Sequence, residues 1–86
     1  MPKISEFYGI GIYMFFNDHN PAHFHVKYGG YKAMINIDTL EIIKGNIPRN
    51  ALKLIIEWAI EHRGKLREDW NLCVQSQQPI EIQTLV

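Results

Sequence analysis

The sequence predicts an α+β fold: an antiparallel β-meander of about four strands, then one long α-helix packed on one face, with a short C-terminal segment able to add an edge strand. Three stretches of the 86-residue chain carry that expectation. Ile4 to Phe16 is apolar, β-branched and aromatic, as strands are. Gly29-Gly30 sits between mirrored tyrosines and lysines with alternating apolar residues on either side, the pattern of a hairpin whose two-residue turn needs positive φ. From Pro48 onward Leu52, Ile55, Ala59, Leu66, Trp70 and Cys73 recur at helical spacing and mark one face. One domain is expected over 1–86, with the sheet over about 3–45, the helix over about 47–75 and the tail over 76–86.

Taken in order, Ile4–Phe16 reads as the first strand, with Ile10, Ile12, Met14 and Phe16 on one face. Gly9 and Gly11 then leave a bare strip for close packing of a backbone or ring, and since no helix start follows them they do not read as a phosphate cradle. Asn17 to Ala22 is a loop in which Pro21 biases Asn20 toward extended geometry. A turn at Gly29-Gly30 sets Tyr28 opposite Tyr31, Lys27 opposite Lys32, Val26 opposite Ala33, His25 opposite Met34, Phe24 opposite Ile35 and His23 opposite Asn36. Phe24, Val26, Tyr28, Tyr31, Ala33, Ile35 and Ile37 thus share a core face, and His23, His25, Lys27, Lys32, Met34 and Asn36 a polar, basic one. A tight turn at Asp38-Thr39 is expected to put Leu40 and Ile42 on the core face and Glu41 opposite Asn36, in one row with His23.

Gly45-Asn46-Ile47-Pro48 breaks the strand pattern and starts a helix, with Asn46 as N-cap. Gly64 interrupts at about 1 kcal/mol relative to alanine, but the apolar stripe stays in phase through it, which predicts one helix. Leu54, Trp58 and Ile60 fall outside that stripe and are candidate interface residues, since one small sheet leaves them uncovered. Pro79 to Gln83 alternates and could extend a sheet edge in this chain or a neighbour.

Nine basic and nine acidic residues cancel, which removes the strongly basic signature of a bulk nucleic-acid binder. Through Ile56 there are six Lys or Arg against four acids, and after it three against five, so an anion site is expected in the sheet half. The single Cys73 excludes an intramolecular disulfide and a cysteine metal cluster and fits a reducing compartment. With neither a signal-peptide apolar region nor a run near the roughly 18 residues of a membrane span, the expectation is a cytoplasmic protein without membrane contact.

Phe7-Tyr8-Gly9-Ile10, Asp18-His19 with Pro21 and His23-Phe24-His25, Tyr28-Gly29-Gly30, Leu40-Glu41, Pro48, Glu57-Trp58, His62-Arg63 and Trp70 resemble a small bacterial family designated domain of unknown function 4160. The Asp-His-x-Pro-x-His-Phe-His run is the specific part. Ala22 stands where members carry a second proline, a departure that loosens the loop and leaves the histidines intact. The resemblance implies a bacterial protein encoded beside another short protein, a pairing proposed to be a toxin–antitoxin module with this chain as the toxin-like half. It brings no catalytic residues.

Three readings of the site stand side by side. His23 and His25 on one strand face, with His19 or Asp18 from the loop, could hold Zn²⁺ or another divalent metal. Alternatively His19, His23 and His25 act as general acid and base, Glu41 orients His23, and Lys27, Lys32 and Asn36 hold phosphate, as a metal-independent ribonuclease requires. In the third reading the histidines tie down the loop and the protein is a binding module for its small cognate protein, or for a second copy of itself, through the helix face. No cofactor is required by the last two. His62 reads as a packed histidine, and Arg63, Lys65 and Arg67 as a solvated helix face.

Overall fold

The computed structural model describes residues 2–85. Five strands, β1 (Lys3–Phe7), β2 (Ile10–Tyr13), β3 (His23–Tyr28), β4 (Tyr31–Asn36) and β5 (Ile42–Gly45), precede two helices, α1 (Arg49–Glu61) and α2 (Arg63–Val74). The strands lie side by side in chain order, and each neighbouring pair is antiparallel. This is the α+β class the sequence predicts, an antiparallel meander ahead of the helical part, with five strands in place of about four.

The β3–β4 hairpin has the predicted register at all six pairs, from His23↔Asn36 to Tyr28↔Tyr31. Gly29 takes φ 57°, as the turn requires. Phe24, Val26, Ala33, Ile35 and Ile37 are buried as expected, while Tyr31, at the hairpin tip, is 46% exposed. α1 covers this face through Trp58, whose ring lies 5.4 Å from that of Phe7 and 6.1 Å from that of Phe24.

The stretch predicted as one long strand is instead a hairpin. Tyr8 (φ 50°) and Gly9 (φ 77°) both adopt left-handed backbone, and Phe7 pairs with Ile10. The non-glycine Tyr8 at positive φ disguises a turn whose second half, Gly9, supplies the freedom. Gly11 keeps its predicted packing role, because a Cβ there would sit 2.7 Å from the Tyr13 ring.

The second turn follows the predicted pairing up to a point. Asn36 N–H donates to the Glu41 carbonyl, and Leu40 is buried. Ile35 pairs with Ile42 but Met34 pairs with Lys44, so Ile43 is the extra residue of a bulge. Ile42 consequently stays 36% exposed rather than joining the core. Gly45 ends the strand at φ 85°, where a Cβ would lie 2.2 Å from the Lys32 carbonyl oxygen.

Two helices replace the single one. The His62 Nδ1–H donates to the Trp58 carbonyl at 2.8 Å, the acceptor its own backbone N–H would take in a continuing helix, and that N–H bonds Ala59 instead. The helix is thus interrupted at His62, and α2 restarts at Arg63. The N-terminal cap is also displaced: α1 begins after Pro48, which caps without a side-chain bond, and Asn46 instead donates its N–H to Lys32. Arg63 donates to the Ile37 carbonyl at 3.2 Å and Arg67 pairs with Asp38 at 2.7 Å, so two of the three cations read as solvated tie α2 to the β4–β5 turn.

Trp58, expected at an interface, is completely buried, because the chain's own tail covers it. Its indole N–H donates to the Gln83 carbonyl at 2.8 Å, and Ile82 N–H donates to Ile4 on β1. The tail runs along β1 without strand pairing, so the predicted edge strand is replaced by an irregular strap. Leu54 is half-buried against the core, and Ile60 is 58% exposed. Asp69 anchors the strap: Oδ1 accepts the Ile80 N–H at 2.9 Å, and Oδ2 is buried without a hydrogen-bond partner.

Two outcomes are expected. Gly45→Ala should lower the urea midpoint far more than Gly29→Ala, since left-handed backbone costs an alanine about 1–2 kcal/mol at either site but only Gly45 faces a carbonyl, with nothing within 4 Å of Gly29. Burial raises the Asp69 carboxyl above its ordinary value, outweighing the Ile80 hydrogen bond. The folded state therefore keeps a proton that the unfolded chain has released. Stability from this group is greatest below the ordinary carboxylate value and declines as pH climbs through the raised one. Asp69→Asn, which retains the acceptor, should flatten that decline in thermal melts, whereas Asp69→Ala, which orphans Ile80 N–H, should destabilise by about 1–3 kcal/mol.

Candidate metal centre

Strand alternation puts His23 and His25 on the face of β3 opposite Phe24 and Val26. The loop before β3 brings a carboxylate to meet them. Its Asn17 is fixed twice to the end of α2 and the turn that follows: Asn17 N–H donates to the Cys73 carbonyl at 3.0 Å, and Ser76 Oγ donates to Asn17 Oδ1 at 2.8 Å. The loop then passes a cis Asn20–Pro21 peptide bond into β3.

His23 is 2% exposed and lies 5.1 Å, ring to ring, from Trp70 of α2. Its Nδ1–H donates to the Pro21 carbonyl at 2.7 Å. A carbonyl can only accept, so Nδ1 carries a proton, and in the neutral form of a ring held this way Nε2 is the nitrogen with the lone pair. That Nε2 is 2.9 Å from Asp18 Oδ2 yet misaligned for a hydrogen bond, and it stays buried without such a partner. His25 Nε2 approaches the same Oδ2 at 3.3 Å, and its ring stacks on Phe15 with centroids 3.9 Å apart. One ligand atom from each of Asp18, His23 and His25 can be chosen so that all lie within 4.8 Å of one another. Ligand bonds of about 2.0–2.1 Å in a tetrahedron set donors roughly 3.3 Å apart, so the cluster needs little rearrangement to close on an ion.

Burial pushes His25 below the ordinary imidazole value, outweighing the opposite pull of the Asp18 carboxylate. Burial alone would raise Asp18. Hydrogen bonds from His25 and from the His19 backbone N–H, with the electrostatic pull of His23, outweigh it and hold the carboxyl below the usual range. Neutral imidazole and ionised carboxylate are the forms that bind metals.

Of the predicted site residues, the structure joins His23, His25 and Asp18 and separates the rest. His19, with its side chain 94% exposed, donates its backbone N–H to Asp18 Oδ1 at 3.0 Å, and its Nδ1 comes no nearer that oxygen than 3.7 Å. Glu41 is exposed, and the groups facing the His23 nitrogens are Pro21 and Asp18, so Glu41 does not orient that ring. Asn36 turns its side-chain oxygen to the Asp38 and Thr39 N–H groups, where it closes the β4–β5 turn. Lys27 and Lys32 lie opposite each other, both exposed, beside His25. Cys73 is buried, and burial raises its thiol, which keeps it out of nucleophilic chemistry. Sequence reading missed the Pro21 carbonyl, Trp70 as the cover of His23, Phe15 beneath His25, and Lys44. Proline two residues before a histidine was the available signal for the first.

Fold and cluster together define a small α+β meander domain bearing two imidazoles and one carboxylate at the start of its central strand. The chain belongs to the family described as Domain of unknown function (DUF4160), whose model matches residues 9–71. That span holds the whole cluster and leaves β1, the end of α2 and the whole tail outside. Neither the curated proteins nor the solved structures include a significant match. Among the described residues no helix is long and apolar enough to cross a membrane.

Proposed function

We propose that the protein binds one divalent transition metal through Asp18, His23 and His25. The observation that carries this is the buried Nε2 of His23, which makes no hydrogen bond although Asp18 Oδ2 lies 2.9 Å away, in a ring whose other nitrogen is committed to a backbone carbonyl. A metal-ligating histidine is typically held this way, the second nitrogen donating to a carbonyl so that the first points at the ion. Two imidazoles and a carboxylate suit Zn²⁺ and other borderline ions, and three protein ligands leave a position for water or substrate. The metal-independent ribonuclease reading needs two imidazoles open to a substrate. With His23 enclosed and the His19 ring turned out to solvent, the geometry supports the metal instead.

Purified protein should bind Zn²⁺ at one equivalent by calorimetry, with a stabilisation of about 2.7 kcal/mol at a hundredfold excess over Kd. Asp18→Asn and His25→Ala should weaken binding at least tenfold while the circular dichroism spectrum is retained, and His19→Ala should bind as the parent does. Absence of stoichiometric binding, or equal binding by all variants, overturns the proposal.

The toxin-like half of a two-protein module is the second reading, favoured by β5. The other outer strand, β1, is lined by the tail, but β5 ends the sheet with Ile42 and Ile43 exposed. An edge of this kind accepts a strand from a partner. Co-expression with the product of the adjacent gene should yield a complex that Ile42→Lys and Ile43→Lys abolish. A complex indifferent to both changes excludes this edge.

A further inference from the structure

Beside the cluster, on the His25 face of the sheet, runs a groove of ≈ 490 Å³ lined by Phe15, His25 and Met34 together with Lys27, Lys32 and Lys44. No acidic residue lines it. Lys27 and Lys32 are directly opposed across β3 and β4, and Lys44 is opposite Met34 across β4 and β5. Directly opposed like charges destabilise a sheet. None of the three lysines makes an ion pair with a described residue. Lys27 Nζ instead lies 5.1 Å from the centre of the Tyr13 ring. A chain with no net charge has thus collected three cations along one groove without counter-charges.

We propose that this groove binds a nucleotide phosphate: the phosphate oxygens sit among the Lys27, Lys32 and Lys44 ammonium groups, and the base lies against the stacked Phe15–His25 pair and Met34. The combination selects this chemistry. Ammonium groups seek a concentrated anion, an aromatic and thioether lining seeks a flat apolar partner, and a nucleotide carries both. His25 belongs to both the groove and the cluster, so one wall of the phosphate seat is a metal ligand. Only that placement rests on the metal reading. The lysine seat stands on the groove itself.

The test uses the full chain, once loaded with Zn²⁺ and once stripped with EDTA. Adenosine 5′-monophosphate, adenosine and a single-stranded octa-adenylate are titrated against each form. The phosphate-bearing probes should bind at least tenfold more tightly than adenosine. The Lys27→Gln/Lys32→Gln double variant and Lys44→Gln should each lose that margin, whereas Lys53→Gln, on α1, should keep it. The double variant relieves repulsion, so its melting temperature should match or exceed that of the parent, which excludes misfolding as the cause. Tighter octa-adenylate binding with a steep salt dependence identifies a nucleic-acid strand as the source, and preference for the mononucleotide identifies a free nucleotide. Retention of lysine-dependent binding in EDTA supports the seat even where zinc fails to bind. Equal binding of adenosine and its phosphate, or indifference to the lysines, overturns the proposal while leaving the zinc stoichiometry as an independent result.

Discussion

Alternation along β3 links the interior to the site, because the same six residues serve both. Phe24 and Val26 are locked into a core closed by Trp58, so His23 and His25 must emerge on the other side. A one-residue slip would bury imidazoles against Trp58 and expose Phe24, a large loss of apolar burial for a domain this small. The face from which the two rings project is therefore enforced by hydrophobic packing on the far side of the sheet, without any interaction inside the cluster. What remains for the cluster is orientation, which the Pro21 carbonyl supplies for one ring and Phe15 for the other.

Much of this was legible in the sequence where local chemistry leaves one answer. Gly29-Gly30 between mirrored residues fixes a hairpin of six pairs, and the buried stripe from Ile55 to Cys73 follows from helical spacing alone. The failures share a different character. Tyr8 occupies left-handed backbone that its side chain disfavours, and the Ile43 bulge carries no mark in composition, so both are decided by pairing across the sheet. His62 breaks the helix through its own imidazole, a choice invisible to a periodicity that passes through it unchanged.

The candidate site was half legible for the same reason. A His-x-His pair on a strand is readable as a shared face, but which loop group meets it depends on where the connection from Tyr13 to His23 closes. Asp18 and His19 are neighbours with equal claims from composition. The backbone resolves them, sending one carboxylate inward and the other residue's ring to solvent. The apolar surplus of α1 likewise suggested a second chain because the strap that satisfies Trp58 has no secondary structure to announce it.

The attachment of Asn17 to Cys73 and Ser76 gives the loop a fixed point on α2 before any ion arrives. Asp18 is the next residue, so its carboxylate is held near the rings at little further loss of chain freedom when a ligand is captured. The same tether makes the end of α2 a mechanical reporter: whatever tightens the loop also restrains the last helical turn, some fifty-five residues away in the chain but one hydrogen bond away in space.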